Sequence, residues 1–162
     1  MQKQIIKVGM ADLATGRAPD ILTTLGLGSC VGIAIYDKVQ RIGGLAHIML
    51  PDSSQINNQE NKAKFANTAI PILISDMLRQ GALKKNLVAK IAGGAHMFQF
   101  QNMDSMMRIG SRNSSAVIEI LGQEGIPIVA QDVGGNYGRT VELDTATGIF
   151  KIKTIGQGIK EI

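Results

Sequence analysis

Apolar and polar residues alternate in short runs along much of the chain, and these runs predict strands. They are QIIKVGM, VGIAIY, IGGLAHIML, NLVAKIAGG and IPIVAQDVGG, each bounded by glycine, proline or polar residues. The segment RTVELDTATGIFKIKTI predicts a hairpin, with two alternating runs about a turn that contains Thr, Ala and Gly. The chain has no internal repeat, and the pattern predicts more strands than helices.

A first helix is predicted between about residues 62 and 80. Apolar residues recur there at every fourth position, at Phe65, Ala69, Leu73 and Met77. Gly81 follows at a typical helix end. Pro71 lacks an N–H group and its ring collides with the carbonyl four residues earlier, so we expect a kink or two shorter helices.

A second helix is predicted from Asn113, as its N-terminal cap, to about Gln123, with Gly125 behind it. Two helices and a larger number of strands indicate an α+β fold. We expect the two helices to pack against a sheet system that is itself layered.

The composition narrows the class of protein. A chain of 162 residues with 44% hydrophobic and 19% charged residues predicts one globular domain, residues 1–162. No apolar run approaches the roughly 18 residues of a membrane span, and the N-terminus lacks a signal-peptide pattern, so we expect a cytoplasmic protein without membrane insertion. The net charge of +4 is modest, and with 4% aromatic residues and no Trp we expect no stacking platform for single-stranded nucleic acid and no nucleic-acid partner.

The stretch TTLGLGSC ends in Cys30, the only cysteine of the chain. If VGIAIY and RIGGLAHI form a hairpin with a symmetric turn over residues 37–40, opposed residue numbers sum to 77, and Cys30 lies opposite His47. An imidazole beside a thiol is the arrangement that activates a cysteine nucleophile. The same face carries small residues, Gly32, Ala34 and Gly43, so another element can pack closely there.

Several alternatives stay open at this point. A single free cysteine is often a small buried hydrophobe, and His96 in GGAHMF is a rival partner for it. Thr23 or Thr24 can orient an imidazole, and the backbone N–H groups of Ser29 and Cys30 can face an oxyanion. One cysteine and two scattered histidines argue against a zinc site.

Five blocks in order resemble the CheD family of chemoreceptor glutamine deamidases. They are TLGLGSC, HIMLPDS, KIAGGAHMF, IGSRN and DVGGNYGRTVE, and together the match runs from about residue 5 to 155. The resemblance implies a layered α/β/β sandwich with mixed sheets, similar to toxin-type cysteine deamidases. It also implies hydrolysis of selected receptor glutamines to glutamate without a cofactor or metal, with receptor methyl-ester hydrolysis as a possible side activity.

The resemblance places the family's catalytic residues on Cys30, His47 and Thr24. Gly26, Gly28 and Ser29 would then support the loop and the oxyanion. The implied partners are the cytoplasmic helices of chemoreceptors and, where it is present, the CheY-phosphate phosphatase CheC. The alternative function is an adaptor that binds CheC and modulates phosphatase activity with little deamidation. The stretch 97–107, which holds Met97, Met103, Met106 and Met107, departs from the usual pattern and is a hypothetical docking surface for a receptor helix.

Overall fold

The computed structural model describes residues 2–55, 61–97 and 108–162, and its elements form three layers. Of the methionine-rich stretch, only Met97 lies within the described residues; Met103, Met106 and Met107 lie outside them, so the hypothesis of a docking surface there is not tested. The described part contains ten strands and two α-helices, as well as three single turns of 3₁₀ helix. The predicted excess of strands over helices is therefore confirmed.

The strands form two five-stranded sheets. Their bounds are β1 Ile5–Lys7, β2 Asp12–Arg17, β3 Ile21–Leu27, β4 Val31–Asp37, β5 Ile42–Ile48, β6 Leu87–Gly93, β7 Ile128–Val133, β8 Arg139–Asp144, β9 Phe150–Thr154 and β10 Gly158–Glu161. The outer sheet has the order β1-β3-β8-β9-β10 and the central sheet the order β2-β5-β4-β6-β7. Each contains one parallel pair, β1 with β3 and β6 with β7, among antiparallel ones. Both sheets are thus mixed, as expected.

The helices α1 (Ala66–Arg79) and α2 (Ile109–Gln123) cover one face of the central sheet. The outer sheet covers the other face, which gives the predicted α/β/β order of layers and the predicted α+β class. Because β4 and β5 lie in the middle of this arrangement, every residue of both strands is buried. Apolar side chains on both faces of these strands account for most of the core.

The helices begin and continue differently from the sequence prediction. Helix α1 is a single helix over Ala66–Arg79 with Pro71 inside it, so the expectation of two shorter helices is wrong. Pro71 lies on the solvent-exposed side, where water can bind the carbonyl that its missing N–H leaves free. Helix α2 starts at Ile109, and Asn113 is a buried residue of its second turn instead of the predicted cap.

The hairpin of β4 and β5 has the predicted faces but a different register. Val31 pairs with Ile48 and Gly32 pairs with His47, so opposed residue numbers sum to 79 and not to 77. The cause is the position of the turn, which lies over residues 38–41 and not over residues 37–40. Asp37 and Ile42 form the last pair before it, and Arg41 takes a left-handed conformation with φ 54°. A shift of two residues keeps each side chain on its face, because side chains alternate with a period of two.

Candidate active site

The stretch TTLGLGSC leads from the outer sheet to the central sheet. Thr24 ends the regular pairing of β3 with β8, and the register shifts before Leu27 resumes it. Gly26 at this irregularity has φ +73°, a conformation that glycine adopts without strain. The chain then crosses to β4, so Cys30 lies at the junction of the two sheets.

Thr24 and His47 meet across the gap between the sheets. The Thr24 hydroxyl lies 2.7 Å from Nδ1 of His47 and donates a 2.7 Å hydrogen bond to the carbonyl oxygen of Val8. Since a carbonyl only accepts, the one hydroxyl proton is used there, and Nδ1 must carry the proton that joins it to Thr24. His47 is therefore held as the Nδ1–H tautomer, with a lone pair on Nε2.

His47 is fully buried, and its Nε2 has no hydrogen-bond partner among the described residues. An unpaired lone pair on a buried nitrogen destabilises the folded protein, so its presence calls for an explanation. A role in accepting a proton is one such explanation. Thr23 does not share this contact, because its hydroxyl donates to the carbonyl of Val141 at 2.8 Å. Between the two threonines that the sequence left open, the geometry selects Thr24.

Cys30 and His47 lie on the same face of the hairpin but are not directly opposite. Gly32 takes the position opposite His47, which makes Cys30 its diagonal neighbour on the adjacent strand. Packing on this face is close: an added Cβ would lie 3.0 Å from the side chain of Leu27 at Gly32 and 2.8 Å from that of Leu143 at Gly43. The element that packs against the predicted small residues is therefore the outer sheet, and Cys30 sits at the rim of that contact with 8% of its surface exposed.

Burial disfavours the charged forms of both Cys30 and His47. Burial raises the pKa of the Cys30 thiol, and a hydrogen bond from its own backbone N–H lowers it by less. Burial also lowers the pKa of the His47 imidazole. Both shifts favour the uncharged forms, a neutral thiol and a neutral imidazole, over a thiolate–imidazolium pair.

The loop that carries Cys30 is held by its carbonyl groups. The carbonyls of Gly28, Ser29 and Cys30 accept hydrogen bonds of 2.9 Å from Ala95 N, Asn113 Nδ2 and Gly94 N, respectively. In a trans peptide the N–H group points opposite to the carbonyl, so the N–H groups of Ser29 and Cys30 point away from these partners.

The remaining predicted residues have diverse surroundings. Gly28 N donates to Gly26 O at 3.1 Å, which closes the turn before Ser29. His96 is only partly buried, and its Nε2 lies 3.0 Å from the hydroxyl of Ser111, a residue of α2. The geometry thus joins Thr24 with His47 and leaves His96 with a different partner.

Two residues that act in this region were not among the predicted site residues. Val8 accepts the Thr24 proton and Asn113 binds the loop, and both act from elements distant in the chain. The backbone carbonyl of Val8 carries no sequence signal. Asn113 stood out only as a helix cap.

A cleft of about 340 Å³ lies beside Thr24, lined by residues 7–10 and 23–25. Apolar side chains at this end of the molecule are exposed: Met10 by 57%, Leu25 by 67% and Met97 by 45%. A larger groove of about 520 Å³ lies along α2 and includes none of Thr24, Cys30 and His47.

No cluster of three or more His, Cys, Asp or Glu side chains suited to a metal occurs in the described residues. No helix in that part of the chain is long and apolar enough to cross a membrane.

Comparison with known proteins gives consistent matches. The family model described as CheD chemotactic sensory transduction matches residues 49–154. The probable chemoreceptor glutamine deamidase CheD of Clostridium kluyveri is 57% identical over 162 residues, which is 100% of both chains. The proteins of the same name from Clostridium novyi and Caldanaerobacter subterraneus subsp. tengcongensis are 53% and 52% identical, also over 100% of both chains. A solved structure, the Bacillus licheniformis hypothetical protein YfiH, covers 75% of this chain and 49% of its own, with a TM-score of 0.47 and 17% identity.

Proposed function

The chain belongs to the CheD family, and we propose that it is a chemoreceptor glutamine deamidase in which Cys30 is the nucleophile, His47 the general base and acid, and Thr24 the residue that orients His47. The relatives' shared name, chemoreceptor glutamine deamidase, supports the substrate class. The observation that supports the chemistry best is the buried imidazole of His47, whose Nδ1–H donates to the Thr24 hydroxyl and whose Nε2 has no hydrogen-bond partner among the described residues.

In the proposed mechanism the resting pair is neutral. Nε2 of His47 takes the thiol proton as the Cys30 sulfur forms a bond to the carboxamide carbon of a receptor glutamine. The backbone N–H groups of Ser29 and Cys30 face the resulting oxyanion, with Gly26 and Gly28 shaping the loop. Nε2 returns the proton to the amide nitrogen, ammonia leaves, and a thioester remains.

Water completes the reaction. His47 takes one proton of the water as its oxygen attacks the thioester carbon, and the Cys30 sulfur leaves and regains a proton. The products are a glutamate side chain and the free enzyme. The same acyl-transfer steps apply to a glutamate methyl ester, with methanol in place of ammonia, which is the proposed side activity.

The surroundings of the site suit a macromolecular substrate. A glutamine on a receptor helix needs an open approach, and exposed apolar side chains are available there: Met10 and Leu25 line the cleft, and Met97 lies against Gly28 of the loop. The positive net charge of +4 favours an acidic partner by electrostatic steering. We place the reaction on the cytoplasmic helices of the receptors.

Mass spectrometry of receptor cytoplasmic fragments tests the proposal. Incubation with the protein is expected to add about 1 Da at particular glutamines, the difference between an amide and an acid. Cys30→Ala and His47→Ala should abolish the gain, whereas His96→Ala, the matched histidine control, should retain it. No gain with several cognate receptors would refute the enzyme and favour an adaptor that binds CheC. A full gain with Cys30→Ala would refute the nucleophile.

A further inference from the structure

Asn113 is a fully buried polar residue that connects the two strands of the central hairpin. It lies in the second turn of α2, with 0% of its surface exposed. Its side-chain nitrogen donates to the carbonyl of Ser29 at 2.9 Å and to the carbonyl of Met49 at 3.0 Å. Both partners are backbone groups outside its own helix.

The orientation of the Asn113 amide follows from its partners. Backbone carbonyls only accept hydrogen bonds, so the group that faces both of them must be the NH₂ and not the oxygen. Both amide protons are thereby used. The oxygen, Oδ1, is buried without a hydrogen-bond partner in the described part of the chain. The two donated hydrogen bonds offset the free-energy cost of that unpaired oxygen.

The two carbonyls flank the proposed catalytic pair. Ser29 immediately precedes Cys30, and Met49 lies two residues after His47. The ladder of β4 and β5 ends at the pair Val31 and Ile48, so Ser29 and Met49 lie just beyond the last paired residues. Where the backbone ladder stops, the Asn113 side chain bridges the two chains instead.

We propose that Asn113 is a positioning residue that sets the distance between the Cys30 sulfur and the His47 imidazole. This inference rests on the proposed function, because it gives the Cys30–His47 pair its spacing. Since Cys30 lies diagonal to His47, their approach depends on how the loop is held beyond the ladder. Loss of both donors removes the hydrogen-bonded link between the loop and the end of β5. The bonds from Gly94 N and Ala95 N to the loop remain, but they come from the segment after β6, and Thr24 still holds the imidazole.

Alkylation of Cys30 by iodoacetamide reports this spacing without any receptor. Cys30 is the only cysteine, so the rate belongs to one thiol. In an otherwise native chain, His47→Ala should slow alkylation at neutral pH by about tenfold or more, because the imidazole no longer takes the thiol proton. With Asn113→Ala, the further change His47→Ala should alter the rate by no more than about twofold, since the two groups are uncoupled.

Ser114→Ala is the matched control. Ser114 follows Asn113 in α2, is also buried, and carries a hydroxyl without a hydrogen-bond partner in the described residues, so its loss removes a buried polar group but no hydrogen bond to the loop. The full effect of His47→Ala should persist there. A full effect that persists in Asn113→Ala overturns the positioning role while the Cys30–His47 pair stands. Equal rates of the parent chain and His47→Ala refute the pair itself, and both proposals with it.

Asn113→Asp keeps the test decisive if Asn113→Ala does not fold, as judged by circular dichroism. Aspartate fills the same space, and its buried acid donates at most one hydrogen bond when protonated. The effect of His47→Ala is expected to fall between those of the parent chain and of an uncoupled pair. An undiminished effect in Asn113→Asp overturns the proposal.

Discussion

Replacement of Thr24 by valine removes one hydroxyl and leaves a side chain of nearly the same shape. In the folded protein that hydroxyl has two partners at 2.7 Å, the carbonyl of Val8 and Nδ1 of His47. Thr24 is 1% exposed, so water does not replace the lost group without local opening. The substitution therefore tests the hydroxyl and not the packing.

The stability cost follows from the two partners left behind. A buried group without its hydrogen bond costs about 1 to 3 kcal/mol, so with two such partners Thr24→Val is expected to lower the free energy of unfolding by about 2 to 6 kcal/mol. Domains of this size have about 5 to 15 kcal/mol of stability, so the variant stays folded at 25 °C where the parent chain has more than about 6 kcal/mol. The corresponding fall in Tm is about 4 to 24 °C.

The effect on catalysis has a separate cause. His47 becomes an imidazolium when it takes the thiol proton, and a hydrogen bond to a charged group contributes about 1.5 to 3 kcal/mol. Loss of that bond predicts a kcat about 10- to 150-fold lower. Without Thr24 the imidazole can also carry its proton on Nε2, and that tautomer cannot accept the thiol proton.

Initial rates of glutamine deamidation, measured by mass spectrometry with a receptor fragment, check this prediction. Thr24→Ser is the matched variant, because it keeps the hydroxyl and loses only a methyl group; its kcat should stay within about threefold of the parent rate. A Thr24→Val enzyme within about twofold of the parent rate would refute the role of the hydroxyl. Equal impairment by Thr24→Ser would mean that the methyl group matters instead.

Three further predictions concern the same region. Gly93→Ala should destabilise the protein by about 3 to 5 kcal/mol in a denaturant titration. Its φ is +114°, and the new Cβ would lie 2.2 Å from the Cys30 carbonyl oxygen. The control Gly122→Ala, in α2 with nothing within 4 Å of the new Cβ, should stabilise slightly, and equal costs of the two substitutions would refute the steric argument. The pKa of His47 is lowered in the folded chain, so below about pH 6.5 the unfolded chain binds a proton at this residue that the folded chain does not. The free energy of unfolding of the parent should therefore decrease as the pH is lowered, and that of His47→Gln should decrease less. Parallel curves of unfolding free energy against pH would contradict this. The raised pKa of Cys30 acts in the opposite direction: above about pH 8.5 the unfolded chain loses the thiol proton and the folded chain keeps it. Stability should therefore fall as the pH rises, and Cys30→Ala should lessen that fall.

The side-chain pattern was sufficient to assign the faces of the central hairpin. Val31, Ile33 and Ile35 point to the helices, and Cys30 shares the opposite face with His47, as alternation predicts. The register needed more information, because the turn lies one residue later than a symmetric turn over residues 37–40, with Arg41 in a left-handed conformation, and arginine gives no local sign of that conformation. Alternation has a period of two, so it cannot detect a slip of two residues.

Asn113 shows a different limit of sequence reasoning. Asparagine is common both at helix caps and at buried bridging positions, and only the tertiary structure decides between them. Here the chain enters α2 four residues earlier, at Ile109, and the amide turns to the loop and to β5. The partners of Asn113 are 84 and 64 residues away in the chain, so no local pattern could identify them.

The contact of Thr24 with His47 joins two sheets whose strands interleave along the chain. The outer sheet alone pairs Thr24 with Val141, so it closes only after most of the chain has been synthesised. We expect the contact between Thr24 and His47 to form only when that sheet closes, and Cys30 to react as an ordinary thiol before then. Under the proposed mechanism a nascent or partly folded molecule has no deamidase activity, and the ability to hydrolyse amides arises only when folding is complete.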